Sequence, residues 1–134
     1  MLLRAARDLG HGGTASEYRI EPDGDDYQVT VTVSNPFPAP GATSFQPTAQ
    51  AQALSKDTPQ VEQFLRQLST EFNVFELSDL KPSYPFLHPT FYTFSFQDAA
   101  GRQHSFRYDI EGSHHLDASY QGLVEAFHSF FESH

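Results

Sequence analysis

Tyr92-Thr93-Phe94-Ser95-Phe96-Gln97-Asp98-Ala99-Ala100-Gly101-Arg102-Gln103-His104-Ser105-Phe106-Arg107-Tyr108 is the stretch that decides the fold. Rings recur at every second position on both sides of a short polar segment, the period of strands with one buried face. Asp98 to Arg102 fits a type I turn closed by a glycine in the left-handed region, which makes residue 98 face residue 102. That register sets Phe96 opposite His104, Phe94 opposite Phe106 and Tyr92 opposite Tyr108, all six on one face.

After this hairpin and a short connection, Asp117 can cap a helix whose apolar residues are Tyr120, Leu123, Val124, Phe127 and Phe131, at spacings 0, 3, 4, 7 and 11. The same spacings occur at Val61, Phe64, Leu65, Leu68 and Phe72, behind Thr58-Pro59, which offers a hydroxyl cap and a proline at the first helical position. Upstream of that helix, Tyr18 and Ile20 share one face of a strand. After the turn-rich Pro22-Asp23-Gly24-Asp25-Asp26, Tyr27, Val29, Val31 and Val33 alternate with polar residues. The predicted class is α+β in the order ββαββα, a four-stranded antiparallel sheet with two helices on one face. The matched halves raise internal duplication as a hypothesis, since a helical period recurs in any amphipathic helix.

The 134 residues read as one domain. Residues 1–15 are expected to be a loose start, with a short strand or helical turn near Leu2 to Leu9. Residues 35–57 contain Pro36, Pro38, Pro40 and Gly41 and are read as a proline-rich loop insertion, with a helical turn as an option at Ala49 to Leu54. Residues 73–89 look irregular, with an extended piece at Val74 to Leu77 and prolines at 82, 85 and 89.

Composition narrows the function. There is no cysteine, which removes disulfides, thiolate zinc sites and cysteine nucleophiles and favours a cytoplasmic location. The charge of −9 comes with eight scattered cations, so binding by phosphate neutralisation, and with it nucleic acid, is not expected. Apolar runs stop well short of a membrane span, and charges interrupt the N-terminal residues before a secretory signal could form.

Candidate chemistry is sparse. His114, His115 and Asp117 could hold a metal, but adjacent imidazoles diverge and no third rigid ligand is evident, so a solvated loop and a helix cap are preferred, with no metal or cofactor assigned. Glu125 and His128 form a Glu-x-x-His pair, yet Glu125 lies about 140° from the apolar stripe and the pair is read as facing solvent. Asp23, Asp25 and Asp26 lack the distal glutamate of a calcium loop and are read as a hairpin turn. Serine-hydrolase, zincin and phosphate-loop motifs are missing, so no catalytic residue is assigned. Phe37, Phe45, Tyr84, Phe86 and Leu87 lie in proline-rich loops outside both helical stripes. They either cover the open face of the sheet or form a protein-binding surface.

Phe91-Tyr92-Thr93-Phe94-Ser95-Phe96, Gly101-Arg102-Gln103-His104-Ser105-Phe106 and Leu123-Val124-Glu125 resemble the end of emfourin-type proteins, over about residues 58–132. The resemblance implies a small inhibitor of thermolysin-like metalloproteases. The N-terminal half departs from that family, so no inhibitory residue carries over. Two function classes result. The preferred one is a noncatalytic protein-binding module, an inhibitor or adaptor whose partner has a basic surface or is a protease. The other is a small-ligand or enzymatic domain with His88, His104 and His114 in a pocket between helices and sheet.

Overall fold

A computed structural model describes residues 2–8, 15–35, 48–84 and 87–132. The elements run β1 (Leu2–Asp8), β2 (Ala15–Asp23), β3 (Asp26–Asn35), β4 (Thr48–Leu54), α1 (Thr58–Thr70), a 3-10 turn at Val74–Glu76, β5 (Pro89–Gln97), β6 (Gln103–Glu111) and α2 (Ala118–Glu132). The class is α+β with two helices, but the sheet has six antiparallel strands in the order β4-β3-β2-β1-β5-β6, which corrects the expected four.

The two additional strands have identifiable causes. β1, an option in the sequence as a short strand within a loose start, lies in the middle of the sheet between β2 and β5. Its residues Arg4, Ala5, Ala6 and Arg7 carry little strand propensity, and pairing on both sides overrides that. β4 falls inside the expected loop insertion, at the Ala49 to Leu54 stretch for which a helical turn is the sequence option; its ladder with β3 outweighs the helical preference of alanine and glutamine. Val74–Glu76 is likewise a tight helical turn rather than an extended piece, entered through Asn73 at φ +50°.

The last hairpin follows the predicted register, with Phe96 opposite His104, Phe94 opposite Phe106 and Tyr92 opposite Tyr108. Its turn closes through Asp98, whose backbone N–H donates to the Arg102 carbonyl (3.0 Å) and whose carboxylate accepts from the N–H groups of Ala100 (3.0 Å) and Arg102 (2.8 Å). Gly101 sits at φ +89°, a conformation that a side chain would strain. Asp117 caps α2 as expected, accepting from Ser119 N–H at 2.8 Å. The cap of α1 is Asp57 rather than Thr58; it accepts from Gln60 N–H (2.9 Å), while the Thr58 hydroxyl donates to Asp26 (2.6 Å).

Directly paired residues share a face, so the sheet reads in rows. One row is Leu54, Val29, Ile20, Leu3, Phe96 and His104; the next is Gln52, Val31, Tyr18, Ala5, Phe94 and Phe106. Both helices cover this face. Phe127 from α2 meets Phe94 edge-on at 5.2 Å and Tyr18 at 6.4 Å, and Phe64 from α1 stacks on Phe130 at 4.1 Å. Phe72 packs over Gly122, where an added Cβ would lie 3.2 Å from its ring. The opposite face carries Arg4, Glu17, Arg19 and Glu21 in exposed ion pairs, each worth little.

The topology also bears on duplication. β2 and β5 both run antiparallel to β1 and flank it, with β3 and β6 outside them. Matching β2 with β5 and β3 with β6 while keeping both helices on one face requires a reflection, which no rotation of an L-chain supplies.

Truncating Phe127, which joins both helices to the sheet, is expected to cost about 3–5 kcal/mol in denaturant unfolding. A loss under about 1 kcal/mol, the range of an exposed site, would contradict this packing.

Candidate functional site

The segment between α1 and β5 is fixed at both ends. On entry, Leu80 pairs in parallel with β6, its N–H donating to the Arg107 carbonyl and its carbonyl accepting from Asp109 N–H, both at 2.9 Å. The Asp79 carboxylate accepts from Arg107 N–H (2.8 Å), and Pro82 is buried. On exit, His88 N–H donates to the Glu111 carboxylate (2.9 Å), and the Thr90 hydroxyl donates to the Gly112 carbonyl (2.8 Å). Between these anchors Tyr84 is 49% exposed and Leu87 78% exposed. Among the described residues, Val33 is the one other exposed large apolar side chain. Of the five sequence candidates, Tyr84 follows the Leu80 anchor and Leu87 precedes the His88 anchor, both beside the β6 edge, while Phe37, Phe45 and Phe86 lie outside the described residues.

A second cluster was not legible in the sequence. Arg7 of β1, Ser16 and Tyr18 of β2, Tyr92 of β5, and His128 and Glu132 of α2 converge at one end of the sheet. The Tyr18 hydroxyl donates to Glu132 (3.1 Å), the other carboxylate oxygen of Glu132 lies 2.9 Å from His128 Nδ1, and His128 Nε2 faces Arg7 Nη1 at 3.5 Å. Arg7 Nε is buried with no hydrogen-bond partner among the described residues. Burial pushes the Tyr18 phenol up to about 12, against the opposing pull of Arg7 and with a smaller upward push from Glu132. Tyr92 is raised for the same first reason.

A histidine oriented by a carboxylate is the geometry of a general base, but here its free nitrogen meets a guanidinium instead of a nucleophile. The adjoining cavity, lined by Ala5, Tyr18, Phe94, Val124, Phe127 and His128 among others, has about 10 Å³ of room, enough for one water-sized group. The cluster ties β1 and β2 to α2. It also corrects the reading of Glu-x-x-His: Glu125 is exposed, whereas His128 is half-buried and faces the sheet.

The other histidines among the described residues make separate contacts. The His104 ring meets the Leu77 carbonyl, His115 Nδ1 lies 3.0 Å from the Tyr108 hydroxyl, and His88 and His114 are exposed. His88, His104 and His114 do not line the cavity between helices and sheet. Among the described residues no three ligating side chains form a metal-holding group, and no helix is long and apolar enough to cross a membrane.

No protein-family model, curated protein or solved structure matches this chain.

The Tyr18 phenol yields a pH dependence. An unfolded tyrosine ionises near about 10, whereas Tyr18 in the fold holds its proton up to about 12. The folded chain thus binds more protons in this window, and stability is present below about pH 10 and lost as pH rises through about 12. Tyr18→Phe is expected to make the alkaline limb of a urea-unfolding series shallower. Equal slopes for variant and wild type would overturn the assignment.

Proposed function

We propose that this chain is a noncatalytic protein-binding module, an inhibitor or adaptor, that presents the loop carrying Tyr84 and Leu87 to a partner. One observation carries the reading: Leu87 is 78% exposed although its neighbour His88 is anchored by a hydrogen bond to the Glu111 carboxylate. An apolar residue held in water next to an anchored backbone costs little further ordering when a partner covers it, which is how interface anchors gain affinity. The formal charge of −9 favours a partner with a basic rim, and the resemblance of residues 58–132 to emfourin-type inhibitors makes a metalloprotease the first class to try.

Immobilised wild-type chain, Tyr84→Ala and Leu87→Asp are compared for capture from native lysate by mass spectrometry, with a thermolysin inhibition assay in parallel. Leu87→Asp is expected to weaken the captured partner by about tenfold or more, a difference of about 1.4 kcal/mol, while stability changes by less than about 0.5 kcal/mol. Equal capture by wild type and Leu87→Asp would remove this loop as the contact surface.

A further inference from the structure

The fold treats its two sheet edges differently. At the β6 edge, Asp79 and Leu80 run alongside the strand and satisfy its outward groups at Arg107 and Asp109. At the β4 edge, no strand among the described residues pairs with the outer side. Exposed edges are normally blunted by lysine, proline or inward-pointing charge. Thr48-Ala49-Gln50-Ala51-Gln52-Ala53-Leu54 has none of these.

We propose that this edge docks a second copy of the chain, joining two six-stranded sheets across a two-fold axis at Ala51. The strand sequence selects the occupant. From Ala49 to Ala53 it reads the same in both directions around Ala51. Antiparallel pairing of two identical strands places a two-fold axis between directly opposed residues. Centred on Ala51, that axis sets Ala51 opposite its own copy, Gln50 opposite Gln52 of the copy, and Ala49 opposite Ala53. Small residues meet small ones, amides meet amides, and no charge meets its like.

The surroundings leave room for this. On the helix-bearing face the sheet outruns its cover at this side: Val33 is 44% exposed, Val31 half-buried and Gln52 exposed. The axis is perpendicular to the sheet, so both helical layers lie on one side. The two β3 strands stand three strand spacings apart, about 14 Å. That exceeds the 8–10 Å needed by packed helices, so the layers do not collide, and the strip of Val31 and Val33 lies between them. Each copy carries −9, with no charge on β4 itself, so the copies repel at long range. Salt should therefore tighten the pairing.

Sedimentation equilibrium of the full chain over a concentration series is expected to show a monomer–dimer equilibrium that shifts toward dimer as salt rises. Ala51→Lys and Ala51→Glu each place like charges across the axis and should give monomers. Mixing the two should restore a dimer, because opposite charges then face each other. The chain has no cysteine, so Ala51→Cys introduces a single thiol. Opposed Cα atoms about 4.5–5.5 Å apart lie within disulfide range. Mild oxidation should cross-link Ala51→Cys and spare Ala99→Cys, a variant at the far turn; this milder substitution keeps the test open if a charged variant fails to fold by circular dichroism. A monomeric wild type overturns the proposal, as does a dimer indifferent to Ala51→Lys or a mixture that stays monomeric. A monomeric wild type that loses a captured foreign protein on Ala51→Lys would assign the edge to another chain's strand, and that too overturns self-pairing.

Discussion

The structure depends on a small side chain at its centre. Ala5 occupies the middle of a row flanked by Tyr18 and Phe94, and Phe127 descends from α2 to meet both rings. The cavity beside Ala5 has only about 10 Å³ of room, so a side chain much larger than alanine would press on the surrounding rings, an addition that close-packed interiors accommodate poorly. Phe131 of the same helix reaches Tyr18, and Phe130 stacks on Phe64 of α1, so this group of rings links the sheet to both helices.

That same constraint explains which parts of the fold were legible. The β5–β6 register could be read residue by residue because turn chemistry and aromatic alternation agree there. β1 was obscured because packing demanded alanine where a strand signal needs bulk, and because Arg7 sits on the inner face as the third member of the series Leu3, Ala5, Arg7. β4 was obscured because an edge strand half in water tolerates alanine and glutamine. The candidate loop was half legible: Tyr84 and Leu87 lie outside the helical stripes, and that alone separated them from the core. The orientation of His128 does not follow from that of Glu125. Three residues further round the helix it lies on the flank of the stripe with Glu132, and an inward Arg7 was the missing cue.

The two candidate contact surfaces lie at opposite ends of the sheet. The Tyr84–Leu87 loop is built on the β6 edge, and β4 is the other edge. Self-association through β4 would leave the loop open on each copy and place the two loops at the far ends of a continuous sheet. Such an assembly is bivalent, with a separation set by the sheet's width rather than by a tether, and it would favour targets that present two matching sites.

The position of β1 bears on how the molecule comes together. β1, β2 and β3 pair through neighbours in sequence, as do β5 and β6, whereas joining Leu3 of β1 to Phe96 of β5 spans most of the chain. Closing so long a loop is slow, so the β1–β2–β3 unit and the β5–β6 hairpin precede their union. During that interval β1 and β5 are themselves edges, and β5 displays Phe94 and Phe96 of the future core. The hazard of misassociation therefore lies in time as much as in space, and the rate at which β1 closes on β5 sets how long it lasts.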